Sequence, residues 1–196
     1  MAELEKITGI VLAGGKSSRM GQDKGLMLYH GKAMVTHVME QLQPCVDELL
    51  IVANTPAYGQ FGYPIVADLV EAAGPVGGIY TGLAAASTEL IFFISCDTPF
   101  ITEEAIRKVI AQAGDAAVAV ATLEGQMQPL FGLYRKSTTV RFRESLRQER
   151  YKLQAVIREM NHRLVPLDGL TRQYPHLLHN INTPEEFAEA LTYSAT

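Results

Sequence analysis

Directly after the apolar stretch Ile7 to Leu12, the chain runs Leu12-Ala13-Gly14-Gly15-Lys16-Ser17-Ser18-Arg19-Met20-Gly21-Gln22-Asp23-Lys24. Those thirteen residues hold three glycines and three cations, Lys16, Arg19 and Lys24. Glycine lets a backbone approach an anion without a Cβ in the way, free amides at a strand end can point at phosphate oxygens, and the cations neutralise charge. The segment reads as a phosphate-handling loop, and a nucleoside triphosphate is the ligand it suits. An exposed loop with incidental lysines accounts poorly for a glycine pair and three cations set directly behind a buried strand. Gly15-Lys16-Ser17 imitates the end of a P-loop, but the first glycine of that motif would have to stand at Ile10, and Gly9 is one residue too far back. No register around Gly14 and Gly15 gives the dinucleotide fingerprint either.

Four further groups carry candidate chemistry. Asp97 closes the apolar run Leu90 to Ser95, where a carboxylate faces the ligand crevice of an open sheet and suits a magnesium ion completed by water and phosphate oxygens. Its plain alternative is a cap for the helix starting near Thr102, but Asp97 sits too early, and Thr102 is the better cap. Asp68 precedes Gly74-Pro75-Val76-Gly77-Gly78, a glycine-rich helix entry whose amides can meet a nucleotide; taken alone it is equally a turn. Asn54 ends the run Leu49 to Ala53 and is either a ligand contact or a turn residue before Thr55-Pro56. Asn180 and Asn182 alternate along an extended segment and can present two amides to a heterocycle, although local chemistry also makes Asn182 a helix cap. His162, His176 and His179 lack metal-ligand spacing and read as surface or loop residues, and Arg147, Arg150 and Lys152 read as a solvated helix face.

Short continuous apolar runs at Ile7 to Leu12, Leu49 to Ala53, Leu90 to Ser95 and Ala117 to Ala121 have the character of strands buried on both faces. Helical patterns separate them, over Ala33 to Leu42, Val76 to Ala86 and the segment capped by Thr102. After a strand at Leu130 to Tyr134, charged helices are expected at Lys136 to Gln148 and Leu153 to Met160, a short strand near Arg163 to Pro166, and a final helix from Pro184 to Leu191. The alternation implies an α/β fold, single-domain and Rossmann-like, with a mostly parallel twisted sheet and helices on both faces. Ligands then sit beyond the carboxyl ends of the strands, where Gly14, Asn54 and Asp97 fall.

At 196 residues, 47% of them hydrophobic, the chain has enough apolar residues for one core. A net charge of −4 argues against a nucleic-acid-binding surface, so the cations of the first loop imply local recognition of a small anion. Cys45 and Cys96 lie far apart and read as reduced thiols. The polar start and six-residue apolar run fit neither a leader nor a membrane span, and the expectation is a cytoplasmic protein without membrane or nucleic-acid partners.

Leu12-Ala13-Gly14-Gly15, Arg19-Met20-Gly21 and Asp23-Lys24 together resemble the signature of the nucleotidyltransferases that serve sugar phosphates, isoprenoid precursors and molybdopterin. The doubled glycine resembles the guanylyl branch, since cytidylyl relatives usually carry Ala-Gly. From Ile7 to Phe187 the chain is most similar to the molybdenum cofactor guanylyltransferases. The resemblance implies a nucleotide-diphospho-sugar transferase type of fold, with a nucleotide-binding half over about residues 1–115 and an acceptor-binding half over about 116–196. It implies transfer of GMP from GTP to molybdenum-bound molybdopterin, with Mg2+ as cofactor and Mn2+ as a substitute, and transient contacts with other molybdenum cofactor biosynthesis proteins and molybdoenzymes. Arg19, Lys24 and Asp97 then match the catalytic positions, Asp97 also holding the metal. Leu12, Ala13, Gly14, Gly15, Lys24, Asn54, Asp68, Gly77, Gly78 and Asp97 match the nucleotide site. Gln128, ahead of Pro129-Leu130, matches the acceptor site together with Asn180 and Asn182 of Asn180-Ile181-Asn182-Thr183-Pro184-Glu185-Glu186. One departure stands out: the family often has an earlier asparagine where this chain has Val52, which weakens the base contact carried to Asn54. CTP or another phosphorylated acceptor, or a non-catalytic GTP-binding delivery protein, are the alternatives.

Overall fold

The computed structural model describes residues 5–14 and 23–193; Gly15, Lys16 and Arg19 of the first loop lie outside the described residues. Seven strands form one sheet: β1 (Ile7–Leu12), β4 (Glu48–Val52), β5 (Ile65–Val66), β6 (Leu90–Ser95), β7 (Val118–Leu123), β8 (Gln126–Arg135) and β9 (His162–Pro166), in the order β5-β4-β1-β6-β8-β7-β9. All pairings are parallel except those of β8, which runs antiparallel to both β6 and β7. Two small strands, β2 (Leu28–Tyr29) and β3 (Lys32–Ala33), make a separate hairpin.

Alternate residues of each central strand face opposite layers, which sorts the core in two. On one face Val11, Phe92 and Ile94 pack with Val35, Val38 and Leu42 of α1 (Met34–Leu42) and with Ile106 and Val109 of α3 (Glu103–Gln112). On the other, Ile10, Ile91 and Phe93 pack with Ile79 and Leu83 of α2 (Gly74–Ala85), Phe142 of α4 (Thr139–Arg147) and Ile157 of α5 (Leu153–Arg158). The expected helices on both faces are therefore present.

The departures from the sequence reading have local causes. The strand expected from Leu130 extends back to Gln126 because it continues through a bulge: Val120 pairs with Gly132 while Ala121 pairs with Gln128, leaving Pro129, Leu130 and Phe131 unmatched on that side. A proline lacks the ladder N–H, so a bulge is where a strand tolerates it. The helix expected from Lys136 begins as a 3-10 turn over Lys136–Thr138 before α4 starts. The β2–β3 hairpin is too short to carry periodicity; it docks through Tyr29 onto a small cluster with Met34, Ile181 and Ala190 that includes Phe100 and Tyr193. His176 lies in a turn, as expected, and stacks on Tyr193, three residues beyond the last helix, α6 (Pro184–Ala190), with ring centroids 3.6 Å apart.

Gly82 shows how closely α2 lies on the sheet. A Cβ there would stand 2.5 Å from the Phe93 ring and 2.7 Å from Ile10. Gly82→Ala should lower unfolding free energy by about 1–2 kcal/mol, overpacking outweighing the helix-propensity gain of up to about 1 kcal/mol. Gly14→Ala, where a Cβ meets nothing within 4 Å, should leave it unchanged. Denaturant titration of the two variants checks both.

Candidate active site

The site is built by the register of four adjacent parallel strands. Val66 of β5 pairs with Val52 of β4, Val52 with Leu12 of β1, and Leu12 with Ser95 of β6, so the four strands end at one level. The ladders continue one residue further, Ala53 N–H donating to Val66, Ala13 to Val52 and Cys96 to Leu12. Two residues beyond the strand ends stand Asp68, Asn54, Gly14 and Asp97, in that order across the sheet. At an inter-strand spacing of about 4.8 Å they span roughly 14 Å.

At the β5–β4 end, Asn54 and Asp68 interlock. The Asn54 side-chain amide donates to Asp68 Oδ2 at 2.9 Å, and the Asp68 backbone N–H donates to Asn54 Oδ1 at 2.8 Å. Asn54 is exposed, so this pair presents a fixed polar rim; it is neither isolated nor a simple turn residue. Gly77 and Gly78 lie buried in the first turns of α2, where a Cβ on Gly77 would meet Ala73 and the Val70 carbonyl, and one on Gly78 would meet Leu12. Gly77 therefore serves close packing beside the site, whereas a Cβ on Gly78 would make only an ordinary contact.

At β1, Ala13 is buried and its N–H is taken by Val52, so the loop's free donors begin no earlier than Gly14. Gly14 is exposed, and its backbone does not require glycine. A missing side chain facing open space is what a bound group would need.

The returning end of the loop is tied down by residues that no pattern announced. Asp23 Oδ1 accepts from the Gly25 N–H at 3.1 Å and from the hydroxyl of Tyr58 at 2.5 Å. Tyr58 is fully buried in a 3-10 segment, Pro56–Phe61, that Thr55 caps. Its phenol is pushed up in pKa mainly by burial, and so is the Cys96 thiol beside it, while burial takes the Cys45 thiol to about 11. Neither cysteine is a thiolate nucleophile near neutrality, in keeping with the expected free thiols.

Lys24 follows Asp23 and reaches Asp97 and Asn182. Its Nζ lies 3.6 Å from Asp97 Oδ2 and donates to Asn182 Oδ1 at 2.7 Å. Asp97 Oδ1 accepts from the Ser95 hydroxyl at 2.5 Å, while the cap of α3 is Thr102, whose oxygen accepts from the Ala105 N–H. The cap alternative for Asp97 falls away. So does the cap reading of Asn182: the cap of α6 is Thr183, in a reciprocal box with Glu186.

Beyond Asp97 opens a cleft of about 210 Å³. Its lining includes Pro75, Ser95, Asp97, Gln128, Phe131 and Asn180. The β8 bulge turns Gln128 and its neighbours into it, so two of the three residues matched to the acceptor site meet here, while Asn182 turns to Lys24. One carboxylate beside an open cleft fits Mg2+, which takes one or two carboxylates and fills its shell with water and phosphate oxygens. Among the described residues there is no group of three or more His, Cys, Asp or Glu that could form an all-protein cage.

Residues 9–164 match the MobA-like NTP transferase domain. The chain belongs to that family. It is a nucleotidyltransferase of molybdenum cofactor biosynthesis. A molybdenum cofactor guanylyltransferase of Vibrio parahaemolyticus is 33% identical over 193 residues, covering 96% of this chain and 97% of the relative. Among solved structures, the molybdopterin-guanine dinucleotide biosynthesis protein A of Archaeoglobus fulgidus superposes with a TM-score of 0.78 at 20% identity, covering 93% of this chain and 96% of its own. Rv0371C of Mycobacterium tuberculosis, in complex with manganese, superposes with a TM-score of 0.71 at 15% identity over 96% and 100% of the two chains. No helix among the described residues is long and apolar enough to cross a membrane.

Tyr58→Phe keeps the ring and removes one hydrogen bond to the Asp23 carboxylate. Unfolding free energy should fall by about 1.5–3 kcal/mol, the scale of a bond to a charged group. An unchanged denaturation midpoint would mean that Tyr58 does not anchor the loop.

Proposed function

We propose that the protein transfers GMP from GTP to the terminal phosphate of molybdenum-bound molybdopterin, releasing pyrophosphate and forming a guanine dinucleotide cofactor. The observation that carries this reading is the ordered row Asp68, Asn54, Gly14, Asp97 at level strand ends, with the Gln128 and Asn180 cleft opening beyond it. A row of roughly 14 Å suits an extended nucleoside triphosphate. Guanosine lies at the Asn54–Asp68 rim, the triphosphate over Gly14, Gly15 and Lys24 with Arg19 contributing charge, and the reacting phosphate at Asp97. The first half of the chain thus holds the nucleotide, and the second half supplies most of the acceptor cleft.

A terminal phosphate oxygen of the acceptor attacks the α-phosphorus, the bond to the β-phosphate oxygen breaks, and pyrophosphate carries away the electron pair. A phosphate monoester has a second pKa of about 6, so the nucleophile is mostly dianionic at neutral pH and needs no protein base. Asp97 would hold Mg2+, or Mn2+ in its place, which supplies charge neutralisation at the phosphate oxygens; the manganese in the mycobacterial neighbour supports a divalent ion in this fold. Lys24 and Arg19 neutralise the triphosphate and the departing pyrophosphate. Gln128 and Asn180 orient the pterin, and the apolar wall of Phe131, Leu153 and Leu178 limits water access. The pathway also supports transient contacts with the proteins that deliver the molybdopterin and receive the finished cofactor.

Asp97→Ala should fold normally and lose at least about a thousandfold in GMP transfer, equivalent to some 4 kcal/mol of charge stabilisation. Pyrophosphate release from GTP, CTP and ATP, with and without molybdenum-loaded molybdopterin, measures this and the substrate choice together. Near-parental release by a folded Asp97→Ala protein, or a parent that prefers CTP, would contradict the reading. A methyl at position 14 enters the open space reserved for the nucleotide, so Gly14→Ala should lower turnover efficiency with GTP without creating efficient CTP use.

A further inference from the structure

We infer that Asn182 is a positioning residue for Lys24, acting on the triphosphate end of the site. This inference rests on the reading that Lys24 binds the triphosphate. A lysine ammonium carries three donors and no acceptor, so the Asn182 atom facing it at 2.7 Å must be the carbonyl oxygen. The two residues are 158 positions apart in sequence, and the contact is partly buried.

Both partners are held from behind. Asn182 donates its backbone N–H to Glu186 Oε2 at 2.6 Å, and the preceding residue, Ile181, is buried and donates its N–H to the Asp97 carbonyl at 2.9 Å. Lys24 is fixed at its base by Asp23, which Tyr58 and the Gly25 N–H hold.

Asn182 gives the Lys24 ammonium a neutral acceptor at shorter range than the Asp97 carboxylate, which stands 3.6 Å away. A neutral acceptor holds the cation in place without neutralising it. Without it, Lys24 closes on Asp97, and both charges are then spent on each other instead of on the nucleotide. The same short segment places Asn180 at the acceptor cleft, so it touches both ends of the reaction while its two asparagines do different work.

The test asks whether Lys24 needs a neutral acceptor at Asn182. Asn182→Ala removes the acceptor, whereas Asn182→Asp keeps an oxygen for Lys24 but gives it a negative charge, and both lose the donor that a pterin contact would need. GTP affinity by titration, GTP and acceptor KM, and the NMR signal of the Lys24 Cε, assigned by its loss in Lys24→Ala, are measured in the parent and in folded variants. Asn182→Ala should weaken GTP binding about tenfold, the scale of one hydrogen bond to a charged group, and shift the Lys24 signal. Asn182→Asp, whose carboxylate neutralises the ammonium and repels the triphosphate, should weaken GTP binding at least as much as Asn182→Ala, with acceptor KM unchanged in both. In a Lys24→Ala background, Asn182→Ala should add nothing, since the interaction it removes is already gone. An unmoved Lys24 signal, parental GTP affinity in Asn182→Ala, or a loss confined to acceptor KM would overturn the inference. A parent that binds no GTP would instead contradict the nucleotide assignment, and the Lys24 signal would still decide whether Asn182 positions that side chain.

Discussion

Everything at the site depends on the register of four parallel strands. Because Val66, Val52, Leu12 and Ser95 pair in one line, the residues two positions further on become neighbours although they lie up to 83 residues apart in sequence. A slip of one residue in any of these pairings would turn that strand's core side chains to the wrong layer. Core packing by Ile10, Val11, Ile91, Phe92 and Phe93 therefore also aligns the polar row. Site geometry and hydrophobic patterning are one constraint here, because the same register sets both.

A second layer of constraint orients the charges. Lys24 sits where three remote segments converge: the buried Tyr58 through Asp23, the β6 terminus through Asp97, and the C-terminal segment through Asn182. Each contact is made by a residue from a different part of the chain, so this charged cluster forms only when the sheet, the 3-10 segment and the docking of α6 are all in place. The α6 capping box and the aromatic packing of Tyr29, Phe100, His176 and Tyr193 thus bear on a charge well outside that cluster.

The sequence was most legible where one residue type does one thing. Buried parallel strands showed as unbroken apolar runs, and β1 and β6 have the expected limits. Gly14, Asn54 and Asp97 could be placed because strand ends are where such a sheet binds ligands. What stayed hidden depends on contacts distant in sequence. Nothing local marks Tyr58 as the partner of Asp23, or Asn182 as the partner of Lys24. Asn182 even resembles a cap, because the true cap, Thr183, stands next to it. The length of β8 was missed because Pro129 argues against a strand until the bulge that accommodates it is seen. The pairing of Asn54 with Asp68 needed β5, a two-residue strand too short to show any period.

The central claim is that a nucleotide lies along the strand ends with its base toward β5 and its phosphates toward β1 and β6. Backbone amide shifts measured by NMR during separate titrations with guanosine and with magnesium pyrophosphate test it most directly. Guanosine should move the signals of Asn54 and Asp68 and leave Lys24 in place, while pyrophosphate should move Gly14 and Lys24 and leave Asp68 in place. The reverse pattern, or one set of residues responding equally to both fragments, would contradict the account.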